Sequence, residues 1–510
     1  MNLIYNVKDK PKFLQCLMFA FQQLLAIMAA TIAVPAIVNN VAGAELSASA
    51  ALFGAGVGTI IYQLFTKFRS PVFLGSSFAF LPSMFAAFAG AASMEMGYLG
   101  IIIGAAFAAL VYAVISVVVK MVGVKWINRI MPAVVIGPIV AIIGLSLAGN
   151  AVGDMMTGDV VNPKTEYVTV DAAPGSEAYA EVPEYAVADE NGVYHYTVQS
   201  KGTVMAASPY AALACALVTL FVVIICSTYG GKRIRLIPFI IGILAGYALA
   251  LVFTLIGNAQ NIDALKIIDF TPFKKLAENG VGLSTFISVP DFVTIKAFKG
   301  FEVLTPAYIG TIAVAYVPVA FVVFAEHLAD HKNLSSIIGK DLLDDPGLSN
   351  TLIGDGVGSF AGALFGGCPN TTYGDSIGCV AITGNASVIS ITYAAVLAMI
   401  VAFIAPFVAF LDSIPACVMG GVCMTLYGFI AVSGLKMLQP VDLNDNRNLF
   451  VVSVILISGV GGMALSFVTG GGQTITVTEV ACALILGIIT NLMLSGKKHE
   501  DSDEPQQVIK

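Results

Sequence analysis

Two carboxylates stand in this sequence where hydrocarbon is expected. Glu326 falls in "AYVPVAFVVFAEHLADH" and Asp375 in "CPNTTYGDSIGCVAITG", each between long apolar runs. A carboxylate at the centre of a membrane costs roughly 2.5 to 3.5 kcal/mol on insertion scales, so it marks ligand binding or proton transfer unless it serves as a cap or a helix-helix hydrogen bond. Asp330 and His331 follow Glu326 toward the end of the same run, and His327 adjoins it in sequence, about 100° further round a helix. Glu326, His327, Asp330 and His331 are therefore the candidate proton-coupling groups. Asp355, in "LIGDGVGS", is buried by position and is open between scaffold and site.

The elements that must position these groups are membrane spans. The chain has 510 residues, 57% hydrophobic and 11% charged, with mean hydropathy +0.88. That composition excludes an ordinary soluble domain and indicates a polytopic membrane protein. At about 20 apolar residues per span, segments fall near 13–38, 46–65, 72–90, 97–121, 127–149, 207–227, 236–256, 306–329, 349–367, 371–383, 387–411, 416–434, 447–467 and 475–495. The expected fold is all-α with fourteen transmembrane segments. The first apolar run has no small-residue cleavage site and reads as a span, not a removed signal peptide. With both termini cytoplasmic, 18 of the 25 Lys and Arg lie inside, and the seven outside all fall in two long loops, which satisfies the positive-inside rule. The loop from about 150 to 206 carries nine Asp or Glu and reads as a solvated outside insertion, with a small β element in "YVTV" and "VYHYTV". The eight Cys sit in or beside apolar segments without a C-x-x-C pair, as small hydrophobes and not as a zinc site or disulfide framework.

The third and tenth segments are short and interrupted, at "FLGSSFAF" and "TTYGDSIG". Fourteen segments with these two at matching places divide into seven plus seven. Because seven is odd, the second half enters from the opposite side, giving an inverted repeat. Irregular backbone at membrane depth is tolerated where it lines a cavity, so Gly75, Ser76 and Ser77 with Gly374, Asp375 and Ser376 read as openings of two half-helices whose N–H groups point at a common site. Phe78 would set a ring beside one of them. An aromatic face, carboxylate acceptors and free backbone donors suit a small planar heterocycle carrying N–H and C=O groups, as a nucleobase does; an inorganic anion would be repelled by two carboxylates.

"TTYGDSIGCVAIT", "LGSSFAF", "FAEHLAD" and "LYGFIAVSG" resemble the signature segments of the nucleobase-ascorbate transporters, the nucleobase:cation symporter-2 family, and within them the bacterial uracil permease branch. The resemblance runs over essentially the whole membrane part. It implies a core of segments 1–4 and 8–11 (13–123 and 306–411) and a gate of segments 5–7 and 12–14 (124–256 and 412–497), with 498–510 a disordered cytoplasmic tail. It implies short β-strands in the third and tenth segments, paired at the site. Glu326 and Asp375 would bind the base, Phe78 would stack on it, and Tyr373 and Gly374 would add main-chain contacts. Ala30 would line the pocket and Tyr427 approach from the gate. The implied activity is uracil uptake with protons across the cytoplasmic membrane, the core moving against the gate, with a homodimer through the gate. The resemblance also leaves sodium, the coupling ion elsewhere in the family, as the alternative to the proton.

The sequence departs from the uracil branch at Asp375 (Glu there), Ser376 (Asn), Gly384 (a basic residue), Gln22-Gln23 (Gln-His) and Asp330 (His). Asp for Glu shortens the reach by about one C–C bond, leaving room for a bridging water or a slightly larger base; Gly384 and Asp330 resemble the purine transporters of the family, which makes a xanthine or urate type the alternative. An anion transporter of the same 7+7 architecture is disfavoured by the two carboxylates. Asp341, Asp344 and Asp345 in "KDLLDDPGLSN" have no facing acidic motif and read as loop and helix-capping residues. No Walker loop, H-E-x-x-H or G-x-S-x-G motif points to an enzyme. Neither a resident cofactor, a metal site nor a nucleic-acid partner is expected; the partners are a small nucleobase and the lipid bilayer.

Overall fold

A computed structural model describes residues 3–123, 132–172, 193–231, 234–278, 280–468 and 474–494. Outside the described residues lie the start of the expected gate unit with Lys125 and Arg129, the middle of the acidic insertion with Glu177, Glu181, Glu184, Asp189 and Glu190, Lys232 and Arg233, and the expected 498–510 tail.

In chain order, the first half holds α1 (Phe13–Ala42), α2 (Ala48–Phe65), β1 (Leu74–Ser76), α3 (Leu81–Ala89), α4 (Met94–Val122), α5 (Ala133–Ser146), α6 (Ala148–Met155), β2 (Val161–Ala172), β3 (Tyr194–Met205), α7 (Pro209–Tyr229) and α8 (Pro238–Gln260). A connector with short helices α9 (Thr271–Ala277) and α10 (Val293–Ala297) follows. The second half holds α11 (Pro306–Ile338), α12 (Leu348–Gly366), β4 (Asn370–Thr372), α13 (Gly374–Thr383), α14 (Val388–Val401), α15 (Ala405–Asp412), α16 (Ala416–Met437), α17 (Asn446–Val460), β5 (Leu465–Val468), β6 (Thr474–Val477) and α18 (Glu479–Leu494). Among the described residues, eight helices are long and apolar enough to cross a membrane: α1, α2, α4, α5 with α6, α7, α8, α11 and α16.

Local chemistry sets the helix starts. Ser47, Ser93, Ser208 and Thr305 accept first-turn N–H groups of α2, α4, α7 and α11, and prolines occupy the first turns of α7, α8 and α11, where a missing N–H costs nothing. Two expected spans end differently. The 447–467 and 475–495 segments become α17 and α18 joined by a β5–β6 hairpin, because Gly461 and Gly462 stop the helix and β-branched residues follow. The 387–411 segment divides into α14 and α15. The β element expected in the acidic insertion is a long hairpin, with Val168 opposite Val198.

Packing between the halves is symmetric. Taking α1 with α11, α2 with α12, α4 with α14, α5 with α16, α7 with α17 and α8 with α18, each contact has its counterpart: α4 on α12 and α14 on α2, α4 on α11 and α14 on α1, α7 on α8 and α17 on α18, α7 on α16 and α17 on α5. The elements β1, α2 and α5 meet their own counterparts β4, α12 and α16. The helices α1, α2, α4, α11, α12 and α14 thus form one group and α5, α7, α8, α16, α17 and α18 another, joined chiefly where α1 and α11 touch α8, α18, α16 and α5.

Backbones approach closely between α2 and α12. A Cβ on Gly54 would lie 2.8 Å from the Gly362 carbonyl oxygen, and one on Gly58 would lie 2.6 Å from that of Gly358. Both helices carry a G-x-x-x-G pattern, which lets backbones touch in a solvent that supplies no hydrophobic drive between helices. This contact forms the bed for β1 and β4, which pair antiparallel with Leu74 opposite Thr372, Gly75 opposite Thr371 and Ser76 opposite Asn370. The Asn370 amide nitrogen donates to Gly54 O at 3.2 Å and anchors the strand pair to α2.

Candidate functional site

Beside the strand pair lies a cavity of about 210 Å³ between the two groups of helices. From α11 it is lined by Glu326, Ala329 and Asp330, spaced i, i+3 and i+4 on one face. Residues Thr371 to Asp375 enter it from β4 and the start of α13, Ala30 from α1, and Phe78 and Ala79 from the 3-10 turn after β1. The opposite wall is Val140 and Ile143 of α5 and a stripe of α16: Leu426, Phe429, Ile430, Ser433 and Met437. Among the described residues, no Lys, Arg or His lines it.

The residues singled out from the sequence separate into three places. Glu326, Asp330, Asp375, Tyr373, Gly374, Ala30 and Phe78 all line the cavity. Tyr427 does not; its ring meets Phe78 edge-on, with centroids 6.1 Å apart and planes at 80°. His327 and His331 face away from the cavity and are fully buried. The His327 Nδ1 lies 2.7 Å from Asp355 Oδ2 and its Nε2 3.0 Å from Thr351 Oγ1, so it joins α11 to α12. Nδ1 of His331 donates to His327 O at 2.8 Å and its Nε2 meets the Tyr62 hydroxyl at 2.7 Å, joining α11 to α2. Asp355 belongs to this second cluster. The turn between neighbours explains the split: on a helix, residues 327 and 331 share a face that 326 and 330 do not.

The backbone around the break differs in detail from the expected pair of capped half-helices. Gly75 and Ser76 are strand residues, and Ser77 stands at the start of the 3-10 turn without capping it by its side chain. In the second half, α13 begins at Gly374, directly after Tyr373, and no side chain caps this helix. Its first-turn N–H groups are thus left for water or ligand. Ser376 is turned inward as a tie, its Oγ accepting from Phe73 N at 3.0 Å and from Gln23 Nε2 at 2.5 Å. Tyr373 is a second tie: its hydroxyl donates to Ser76 O at 2.6 Å, and its ring fills the space where a Gly75 Cβ would stand.

Three features of the site have no clear signature in the sequence. Thr372 Oγ1 donates to Asp330 Oδ2 at 2.7 Å, fixing the third carboxyl of the cavity. The α16 stripe was visible as helical spacing at 426, 429, 430, 433 and 437, but nothing in the sequence said which face met the cavity. Gln23 stands out in the sequence only as a departure, with no sign of its bond to Ser376. Among the described residues, no group of three or more His, Cys, Asp or Glu is placed to hold a metal ion.

A larger cavity of about 750 Å³ opens on the opposite face from the start of α1, with Asn39, Asn40, Asp159, Lys275, Lys296 and Asp412 among its walls. The helix α16 runs from this cavity, at Ala416 and Met419, to the smaller one, at Leu426; Val422 and Cys423 between them are buried. Across the same seam the Asn40 amide approaches Asp154 Oδ1 at 3.5 Å, joining α1 to α6.

Apolar helices of membrane-spanning length, packed round a small cavity of carboxyls and uncapped N–H groups, define a multi-pass membrane protein. Residues 14–173 and 191–467 match the Permease family (Xan_ur_permease), and the chain belongs to that family. It is a transporter and not an enzyme. It is 34% identical over 505 residues to the uracil permease of Bacillus subtilis (strain 168), covering 98% of both chains. It is 34% identical to that of Bacillus caldolyticus, over 97% of this chain and 95% of the relative, and 30% identical to that of Escherichia coli (strain K12), over 96% and 95%. Among solved structures, it resembles the transmembrane domain of a cyanobacterium bicarbonate transporter, BicA, with TM-score 0.54 and 13% identity over 95% of this chain and 99% of that one. It also resembles the murine anion transporter Slc26a9, with TM-score 0.56 and 13% identity over 96% and 69%. At these identities the two structures speak for the fold alone.

Proposed function

We propose that this protein imports uracil by proton symport across the cytoplasmic membrane, with both termini cytoplasmic. The observation that carries the reading is the pairing of acceptors and donors in one small cavity: Glu326 and Asp375 face it together with the uncapped start of α13. Uracil offers two N–H groups to the carboxyls and two C=O groups to the backbone N–H, and Phe78 lies beside that plane as a stacking face. At about 210 Å³ the cavity is smaller than pockets that hold drug-sized ligands, roughly 300 Å³ upward, and suits a single heterocycle. The uracil permeases among the relatives support the same cargo.

In this reading the chain has fourteen segments in a 7+7 inverted repeat, with the third and tenth broken at β1 and β4. The mirrored contacts support it. The core, 13–123 and 306–411, carries Glu326, Asp330 and Asp375; the gate, 124–256 and 412–497, carries the α16 wall. Movement of core against gate exposes the cavity to each side in turn, and the gate forms the surface for a homodimer. Glu326 and Asp330 are the groups that exchange the coupling proton, since three carboxyls and no cationic side chain of the described residues share one cavity. His327 and His331 act behind them, holding α11.

A purine of the xanthine or urate type is the second reading, and Asp330 favours it: held by Thr372, it adds a third acceptor that uracil's two N–H groups do not use. An anion cargo like bicarbonate is disfavoured by the same carboxyls. The deciding experiment is uptake of radiolabelled uracil into proteoliposomes under an inward proton gradient, with unlabelled uracil, xanthine and urate as competitors and a sodium gradient as control. Proton-driven uptake blocked by uracil alone is the expected result. Competition by xanthine or urate would move the assignment to purines, and absence of nucleobase transport under either gradient would overturn it.

A further inference from the structure

The residues before α1 form a strap beneath the site. Ile4 N and Tyr5 N both donate to Gly384 O, at 2.7 and 3.2 Å; Ala386 N donates to Tyr5 O at 2.9 Å and Val388 N to Val7 O at 3.2 Å. Ser387 Oγ donates to Asp9 O at 2.6 Å instead of capping α14, whose first N–H is taken by the strap. Tyr5 and Asn385 pair as a parallel bridge. Gly384, at φ 66°, ends α13, the helix that carries Asp375. Leu3 and Val7 also pack on a separate apolar cluster that includes Leu334 of α11 with Ile377 and Val380 of α13. The segment therefore holds the far end of α13 against α11.

Its other face is charged. Asn6 to Asp9 form a turn, with Asp9 N donating to Asn6 O at 3.0 Å, and through it Val7, Asp9 and Pro11 are half-buried while Lys8, Lys10 and Lys12 are exposed. None of the three lysines makes an ion pair or hydrogen bond with another described residue. Directly after them α1 begins with exposed Phe13, Leu14, Leu17, Met18 and Phe21, a lipid-facing stripe at helical spacing. The lysines consequently stand where hydrocarbon gives way to headgroups, the position at which basic residues attract anionic lipids.

The geometry points to residues 4–12 as a headgroup-reading strap: Lys8, Lys10 and Lys12 bind anionic phospholipid headgroups, and the lipid so held pins the end of α13 through the 384–388 turn. This does not depend on the identity of the cargo. The test is amide hydrogen exchange at Ala386 and Val388, whose N–H groups the strap occupies, with the full chain in nanodiscs of phosphatidylcholine alone or mixed equally with phosphatidylglycerol. Exchange in the mixed discs should be at least threefold slower. The Lys8→Gln, Lys10→Gln, Lys12→Gln triple variant should lose that difference, and the corresponding triple Arg variant should keep it. Equal exchange in both discs, or an undiminished response in the Gln variant, overturns the proposal. So does equal slowing by inorganic phosphate added to the phosphatidylcholine discs, which would make the ligand a free anion.

Discussion

At the scale of single residues, the cavity divides its labour between carboxyls that line its interior and side chains that hold the backbone still. Glu326→Gln and Asp375→Asn keep shape while removing charge, and each takes away a charge-assisted hydrogen bond of about 1.5 to 3 kcal/mol. Each should weaken cargo binding about ten- to a hundredfold and abolish or severely reduce uptake; normal uptake in both would sink the site assignment. Gly75→Ala tests the holding role. The added carbon would overlap the Tyr373 ring, which must move and give up its bond to Ser76 O, at about 1 to 3 kcal/mol. A lower melting temperature together with weaker binding is expected, whereas an unchanged protein would show that the ring has room. Glu326 and Asp375 were legible in the sequence because a charge inside hydrocarbon announces itself. Tyr373 was legible only as a main-chain contributor, and the histidines' turn away from the cavity was not, since sequence gives the angle between neighbours but not which face meets which wall.

At the scale of elements, the strand pair depends on how the connections beneath it are held. On the face where α1 starts, Arg69 Nη1 lies 2.5 Å from Asp345 Oδ1, and Lys340 pairs with the other oxygen, so the loop after α2 is tied to the loop between α11 and α12. These two cations hold the Asp345 carboxyl down at about 2. A folded value below the ordinary carboxylate value of about 3.9 means that the stabilisation is present above that pH and is lost as pH falls toward 2. Asp345→Asn should therefore lower the melting temperature slightly at pH 6, the groups being solvent-exposed and screened. The gap from wild type should close between about pH 4 and pH 2; a gap independent of pH would assign the effect to packing. This tie, the α17–α18 hairpin and the split of α14 from α15 were hidden from the sequence. An apolar run shows that a segment lies in the membrane, but its breaks depend on glycines and loops whose partners lie far away in the chain. The interrupted third and tenth segments were the exception, because their polar residues stood out against apolar flanks.

At the scale of the whole molecule, two groups of helices meet along a seam that holds both cavities. Asn40 and Asp154 face each other across that seam beside the larger cavity. A disulfide between Asn40→Cys and Asp154→Cys should hold that side shut: uptake stops under oxidation, returns with reductant, and cargo binding from the other side survives. Transport undiminished in the cross-linked protein would show that the seam does not open there. Beyond transport, the β1–β4 pair constrains how such a gene can change. Three residues of each half are locked opposite one another, and successive strand side chains point to opposite faces. Losing or gaining one codon next to either strand would turn Thr372 away from Asp330, or Tyr373 away from Gly75, in a single step. The β2–β3 hairpin of the acidic insertion lies outside that register and can lengthen or shrink without disturbing it. Lineages of this protein should accordingly differ in length at the insertion and the chain ends, while the spacing from β1 to α3 and from β4 to α13 stays fixed, so that the two halves drift in sequence yet inherit their lengths together.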